Sequence, residues 1–445
     1  MYNYFLSGFA IKNLFCSFVR DMKKSISTLL LAAVAAAFAA TLAVSFANAE
    51  KIDWDAIVRQ TTEKNPSIQT AKLRLENAKQ SYNRALSGYM PNVSLRGGAS
   101  QGANDGSFSR SYSYGLNASL SIFSGFDTYN DVKQKSAELK SAQASYDRTV
   151  SDAAYDAAVQ YVNLMWAYET VELSKQILER RTENRDMIKL KYNSGNVDVG
   201  SLRRVEADVE LSAYDLRKAQ RYLETASAAL LQAVGRRDDA VLETDERLIL
   251  NERTISKPDY NQLITAIPEF MFAQYNMDSY EAQAAKAKSV WWPSISLSGS
   301  LGRSGNEWAP DRDSWDAGIS LSYPLFTGTR MADTKIASNQ LKIAEQNLND
   351  VSNSLKSNAV TYYNNLADAV ENISIREYYL TASQQQAEIS QKKYVNGLST
   401  YQDWYSIEND YISSQKTLLD SKKSAALEKA RWYNFIGEGF VRPGK

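Results

Sequence analysis

Residues 60–237 and 262–439 repeat one another at an offset of about 202 residues. Asn65-Pro66 answers Ile267-Pro268, and Pro91-Asn92-Val93-Ser94-Leu95 answers Pro293-Ser294-Ile295-Ser296-Leu297. The stretch from Leu120 to Gly125 answers that from Leu321 to Gly328, Lys191-Tyr192 answers Lys393-Tyr394, and Gly235 answers Gly437. Correspondences in the same order along the chain define a duplicated unit, and this period is far longer than that of solenoid repeats. Each copy is therefore a large module, and the two modules are expected to lie side by side and play similar roles.

The ends are read apart from the repeats. Met22-Lys23-Lys24, an apolar stretch from Leu29 to Phe46 and the small residues Ala47-Asn48-Ala49 have the form of a secretory signal, so residues 1–49 are expected to be removed. Met22 is the expected true start; an N-terminal membrane anchor is the alternative. The single cysteine, Cys16, lies in that segment, and the chain has no histidine. A mature chain without thiol or imidazole loses the commonest nucleophile, general base and metal ligands, so no enzyme, cofactor or metal site is expected. Without the signal, 47 basic and 50 acidic residues remain, a balance that does not suggest nucleic acid.

Most of the remainder reads as helix. Asp127 to about Tyr192 and Met331 to about Val395 contain neither Pro nor Gly, and at 1.5 Å per residue each would run for about 100 Å. Val159, Val162 and Trp166 suit a narrow coiled-coil seam. Beyond the signal no apolar run approaches the roughly 20 residues of a membrane helix. If the chain spans a membrane, it does so with strands.

Four segments switch to a two-residue period. Val93, Leu95, Gly97 and Ala99 alternate with Ser, Arg and Gly, and Tyr112 to Ile122 alternates with Ser, Gly and Asn. Ile295 to Leu301 and Trp315 to Tyr323 do the same in the second repeat. Hairpins are expected over 91–123 and 293–325, with loops at 101–110 and 303–313 and strands of about 9–13 residues, near the length of a tilted membrane strand. A soluble half-buried sheet would also alternate. The Ser, Asn and Gly face and the aromatics near strand ends (Trp291, Trp292, Trp308, Phe326) favour a barrel in a membrane. Four strands cannot close one, so the chain must oligomerise to complete its sheet.

The duplicated helix–hairpin–helix–helix order, the Phe123-Ser124-Gly125 and Phe326-Thr327-Gly328 strand exits and the Lys-Tyr-x-x-Gly turns resemble the TolC family of outer-membrane efflux proteins. The resemblance spans residues 50–440. It implies a mainly α fold with a membrane β-barrel, four strands per chain in a homotrimer, and long coiled-coil helices in the periplasm. The organisation it implies is a first repeat over 50–240, an equatorial linker over 241–260, a second repeat over 261–440 and a tail over 441–445. It further implies an exit duct in the outer membrane and its lipid, serving tripartite efflux or type I secretion with a periplasmic adaptor and an inner-membrane transporter.

The turn glycines Gly195 and Gly397 suit the left-handed residue that ends a helix. The resemblance makes these turns the periplasmic tip, with Tyr192, Gly195, Asn196, Val197, Tyr394, Gly397, Leu398 and Ser399 as adaptor contacts. Asp198 and Asp403 are candidate pore-gate acids, and Tyr394 with Lys393 is expected to bond between helix pairs. The chain departs from the pattern that the resemblance implies: Ser406 stands where the family would place a second acid after the second turn, and Gly200-Ser201 stands where relatives carry a Thr-Asp pair. Two other readings stay open: a pore-less periplasmic coiled-coil adaptor, and an exported hydrolase, for which no Ser–His or metal constellation is present.

Overall fold

The computed structural model describes residues 50–441 apart from 105–106, 239 and 249–255. The expected signal, the middle of the linker and nearly all of the tail lie outside the described residues. In chain order the elements are β1 (Glu50–Lys51), α1 (Trp54–Lys64), α2 (Pro66–Leu86), a 3₁₀ turn (Ser87–Tyr89), β2 (Asn92–Asn104), β3 (Ser107–Phe123), α3 (Asp127–Asn193) and α4 (Val199–Val234). Then follow β4 (Leu242–Glu243), α5 (Tyr260–Ala266), α6 (Pro268–Ala287), a second 3₁₀ turn (Ser289–Trp291), β5 (Ser294–Gly305), β6 (Arg312–Ser322), α7 (Arg330–Val395) and α8 (Tyr401–Phe435).

Two compact units are distinguished. In the smaller, β1 and β4 form a two-stranded parallel ladder, with Ile52 N–H donating to the Glu243 carbonyl at 2.8 Å. The larger holds the helices and a four-stranded antiparallel sheet in the order β2-β3-β5-β6. No described helix is long and apolar enough to cross a membrane.

The helices α3 and α7 contain 67 and 66 residues. Lacking Pro and Gly, nothing inside them interrupts the i→i−4 ladder. The narrow seam expected in α3 is not what forms at its centre. Val159 and Trp166 are only half-buried, whereas Ala157, Ala158, Tyr161, Val162, Leu164 and Met165 are all buried. The stretch is enclosed on several sides, with Trp54 against Tyr161 and the Trp166 indole donating to Asp420 of α8 at 3.1 Å. Alanines on α3 let these neighbours approach closely.

The strands run further than alternation of apolar residues suggested. β2 and β3 pair from Asn92 opposite Ser119 to Asn104 opposite Ser107, and β3 reaches 17 residues, so the expected loop 101–110 is largely ladder. The expected loop 303–313 is trimmed likewise, since Arg303 pairs with Asp313 and Ser304 with Arg312. Ladders are made by backbone N–H and C=O groups, which polar residues carry as well as apolar ones. Arg303 and Asp313 add a side-chain ion pair across this ladder.

Register sorts the two faces. Leu95, Leu116, Leu301 and Trp315 stand opposite one another across all four strands. They are 75, 49, 62 and 78 % exposed. Another row of the sheet reads Ser94, Asn117, Ser300 and Asp316. A soluble sheet would bury its apolar row; this one leaves it bare, as a lipid-facing sheet does. Leu301→Arg should therefore cost about 2–4 kcal/mol in a bilayer, the range for a cation at mid-depth on the lipid face. Ser298→Arg, in the polar row with Ser119 and Gly318, should cost far less. Equal losses of folded, membrane-inserted protein would contradict the assignment of faces.

Candidate functional site at the two interhelical turns

The chain reverses twice by the same device. In the first turn the Gly195 N–H donates to the Tyr192 carbonyl and the Asn196 N–H to the Lys191 carbonyl, both at 2.9 Å. In the second, the Gly397 N–H donates to Tyr394 at 3.1 Å and the Leu398 N–H to Lys393 at 2.8 Å. This paired closure needs a left-handed residue, and the two glycines supply it with φ of 75° and 76°.

Each returning helix is capped by a carboxylate–hydroxyl pair, with the roles of the two groups exchanged between the repeats. Asp198 accepts from the Ser201 N–H at 3.0 Å and from its hydroxyl at 2.7 Å. Two hundred and two residues on, the Thr400 hydroxyl oxygen accepts from the Asp403 N–H at 3.1 Å and donates to its carboxylate at 2.6 Å. The Ser201 hydroxyl and amide hold the Asp198 carboxyl below the usual carboxylate range. Asp198 is thus the exposed N-cap of α4 and Asp403 an exposed acid in the first turn of α8, both at positive helix ends.

Beneath the turns lies a cluster of Ile188, Leu202, Val205, Tyr394, Trp404 and Tyr405, with Val197 and Tyr401 packed against it. Tyr394 stacks on Trp404, ring centroids 5.0 Å apart. Its hydroxyl is buried without a hydrogen-bond partner among the described residues. Burial, with Asp198 nearby, raises its pKa. Tyr401, pushed up to about 12 chiefly by burial, donates to the Ser201 carbonyl at 3.4 Å.

The link between the two helix pairs is not made as expected. Lys393 is exposed and forms no ion pair among the described residues. Its counterpart Lys191 crosses instead, donating to the carbonyls of Tyr394 at 3.1 Å and Val395 at 3.3 Å, with Nζ 4.8 Å from the Tyr394 ring centroid. Repeated sequence does not give repeated contacts: Tyr394 is 5 % exposed, its counterpart Tyr192 40 %. Asn196 bonds the Ser194 hydroxyl at 3.0 Å, Leu398 is exposed, and the half-buried Ser399 hydroxyl has no partner among the described residues. Tyr394→Phe removes a hydroxyl that bonds nothing, so resting conductance and melting temperature should stay at wild-type values; a rise in conductance would show a bond absent from this geometry.

Sequence reasoning missed the strongest tie. Glu408, 1 % exposed on α8, is held by Arg180 of α3 through one guanidinium edge, with Nε donating to one carboxylate oxygen and Nη2 to the other at 2.8 Å, and by the Asn184 amide at 3.0 Å. Arg181 alongside reaches Asn409 and Asp208. The bond to Glu408 raises the Arg180 pKa. No group of His, Cys, Asp and Glu able to hold a metal occurs among the described residues.

Twice-repeated helical hairpins, an amphipathic sheet with open edges and clasped helix reversals define a channel-forming outer-membrane class. The chain belongs to the Outer membrane efflux protein family, whose match covers residues 57–236 and 260–438. It is similar to the cation efflux system protein CusC of Escherichia coli O157:H7, 21 % identical over 404 residues, covering 86 % of this chain and 85 % of the relative. It is similar also to the probable outer membrane lipoprotein SilC of Salmonella typhimurium, 19 % identical over 416 residues and 86 % of each. Among solved structures, the open state of the Neisseria gonorrhoeae MtrE outer membrane channel superposes with a TM-score of 0.78, at 20 % identity, over 88 % of this chain and 90 % of that one.

Proposed function

We propose that this chain is the passive exit duct of an outer-membrane efflux or type I secretion assembly, a homotrimer whose three four-stranded sheets close one barrel. The observation that carries the proposal is the sheet, with a bare apolar row through Leu95, Leu116, Leu301 and Trp315 and unpaired edges at β2 and β6. Open edges are costly in lipid, and further copies of the same sheet would pair them. A pore-less periplasmic adaptor has no use for such a face.

The duct performs no reaction, and its energy comes from an inner-membrane transporter reached through a periplasmic adaptor. The turns with Tyr192, Gly195, Asn196, Val197, Leu398 and Ser399 form the adaptor-facing tip. Tyr394 and Lys191 hold the resting state beneath it, and Asp198 and Asp403 ring the mouth. Three-fold rings of carboxylates favour cations. Asp403→Asn, which can still accept from the Thr400 hydroxyl, should weaken cation selectivity of the open channel, read as a shift in reversal potential across a salt gradient. An unshifted potential would remove Asp403 from the pore mouth.

A further inference from the structure

The two long helices start in opposite ways. Where α3 begins with Asp127, an acid at the positive end of its helix, α7 begins with Arg330. The amide of Thr128, the second residue of α3, donates to the Ser124 hydroxyl at 3.2 Å. No side chain caps α7. Its Arg330 N–H donates to the Thr327 carbonyl at 3.2 Å and its Asp333 N–H to the Thr329 carbonyl at 2.8 Å. The N–H groups of Met331 and Ala332 between them have no acceptor among the described residues.

Arg330 adds a full charge to these amides. Side chains of a helix lean toward its N-terminus, so the guanidinium lies at that end, 5.3 Å from the Trp291 ring centroid. Arg330 is 6 % exposed, and its Nη2 has no hydrogen-bond partner among the described residues. Asp333, one turn on, is exposed and forms no ion pair with it. A cation withdrawn from water without a counter-charge, at the positive end of a helix, is unfavourable until an anion joins it. The space beside the helix start is open. A Cβ on Gly125, at the start of α3, would meet the Ser289 carbonyl oxygen at 2.5 Å, whereas one on Gly328 meets nothing within 4 Å. Leu325, Phe326 and Met331 around it are 86, 89 and 77 % exposed.

We infer that the start of α7 binds the phosphate group of a phospholipid in the leaflet facing the periplasm. The Met331 and Ala332 amides and the Arg330 guanidinium take the phosphate oxygens, and the acyl chains lie along Leu325 and Phe326. Free helix N–H groups and arginine are the ordinary donors to phosphate. The residues follow β6 at the end of the sheet that meets the helices, the level of the periplasmic headgroups in the proposed barrel. A second copy closing its β2 against β6 would not supply the anion, because residues 77–104 contain neither Asp nor Glu. The site rests on the proposed membrane barrel and adds a ligand to it.

The test is native mass spectrometry of the full chain in a non-ionic detergent, with phosphatidylglycerol as the probe. The wild type should retain lipid, and Arg330→Gln should bind it about tenfold more weakly. Arg84→Gln, which removes an exposed arginine without an ion pair among the described residues, should bind as the wild type does. Phe326→Ser keeps the guanidinium and removes an exposed apolar contact, so it should weaken retention even where Arg330→Gln impairs folding. Inorganic phosphate in excess should leave the lipid in place; displacement would overturn the lipid and leave a site for free anions. Equal retention by the wild type, Arg330→Gln and Phe326→Ser overturns the site and leaves an inserted barrel standing. Dissociation of Arg330→Gln into single chains, with lipid per chain unchanged, would overturn it in favour of a subunit contact. A wild type that neither retains lipid nor inserts into liposomes overturns the barrel as well.

Discussion

Glu408→Ala should destabilise the tip more than any other single change of charge, by about 3 kcal/mol, the lower end of the range for breaking a buried pair. The lower end applies because the Arg180 side chain keeps 29 % exposure and can be partly rehydrated, whereas Glu408 keeps 1 %. The variant strands Arg180 and the Asn184 amide beside a cavity and frees α3 from α8 over one turn. Two readouts should move together: a lower melting temperature in detergent and a larger resting conductance. A melting temperature within a degree of wild type would mean that the clasp is not closed in the assembled protein.

Trp404→Ala should be comparably severe. Trp404 is among the largest fully buried side chains, and its indole N–H makes no hydrogen bond among the described residues, so its contribution is packing alone. Truncating a buried aromatic to alanine costs about 3–5 kcal/mol. Here it removes the plate on which Tyr394 stacks and the side chain joining Tyr401 to Tyr394. Leu398→Ala, at an exposed position of the same turn, is the control and should stay within about 0.5 kcal/mol. Similar losses in both would place the stability of the tip in the turn backbone and not in the cluster.

What could be read from the sequence was local or periodic. The long helices follow from the absence of Pro and Gly between Asp127 and Asn193, and their ends from Gly195 and Gly397, because a left-handed residue there has almost one chemical solution. The strands followed from period-two alternation, but their ends did not, because Gly102, Ser109 and Arg303 pair through backbone groups that leave no trace in hydropathy. At the tip, Asp198 and Asp403 stand out in the sequence as acids after the two turns, but nothing in it shows that Asp198 caps its helix with Ser201 as partner whereas Thr400 caps the other with Asp403 as partner. The clasp was invisible for a plainer reason: Arg180 and Glu408 lie 228 residues apart, and neither belongs to a motif. The duplication also misled at one position. Lys191 and Lys393 are equivalent in sequence, yet only Lys191 reaches the turn of the other repeat, donating to the Tyr394 and Val395 carbonyls.

The most direct measurement is single-channel conductance of the purified protein in a planar bilayer, beside Glu408→Ala and Trp404→Ala. A duct held shut at its tip should give small discrete openings in the wild type and larger, more frequent ones in both variants. Silence from all three, with each shown to be folded and inserted, would contradict the channel.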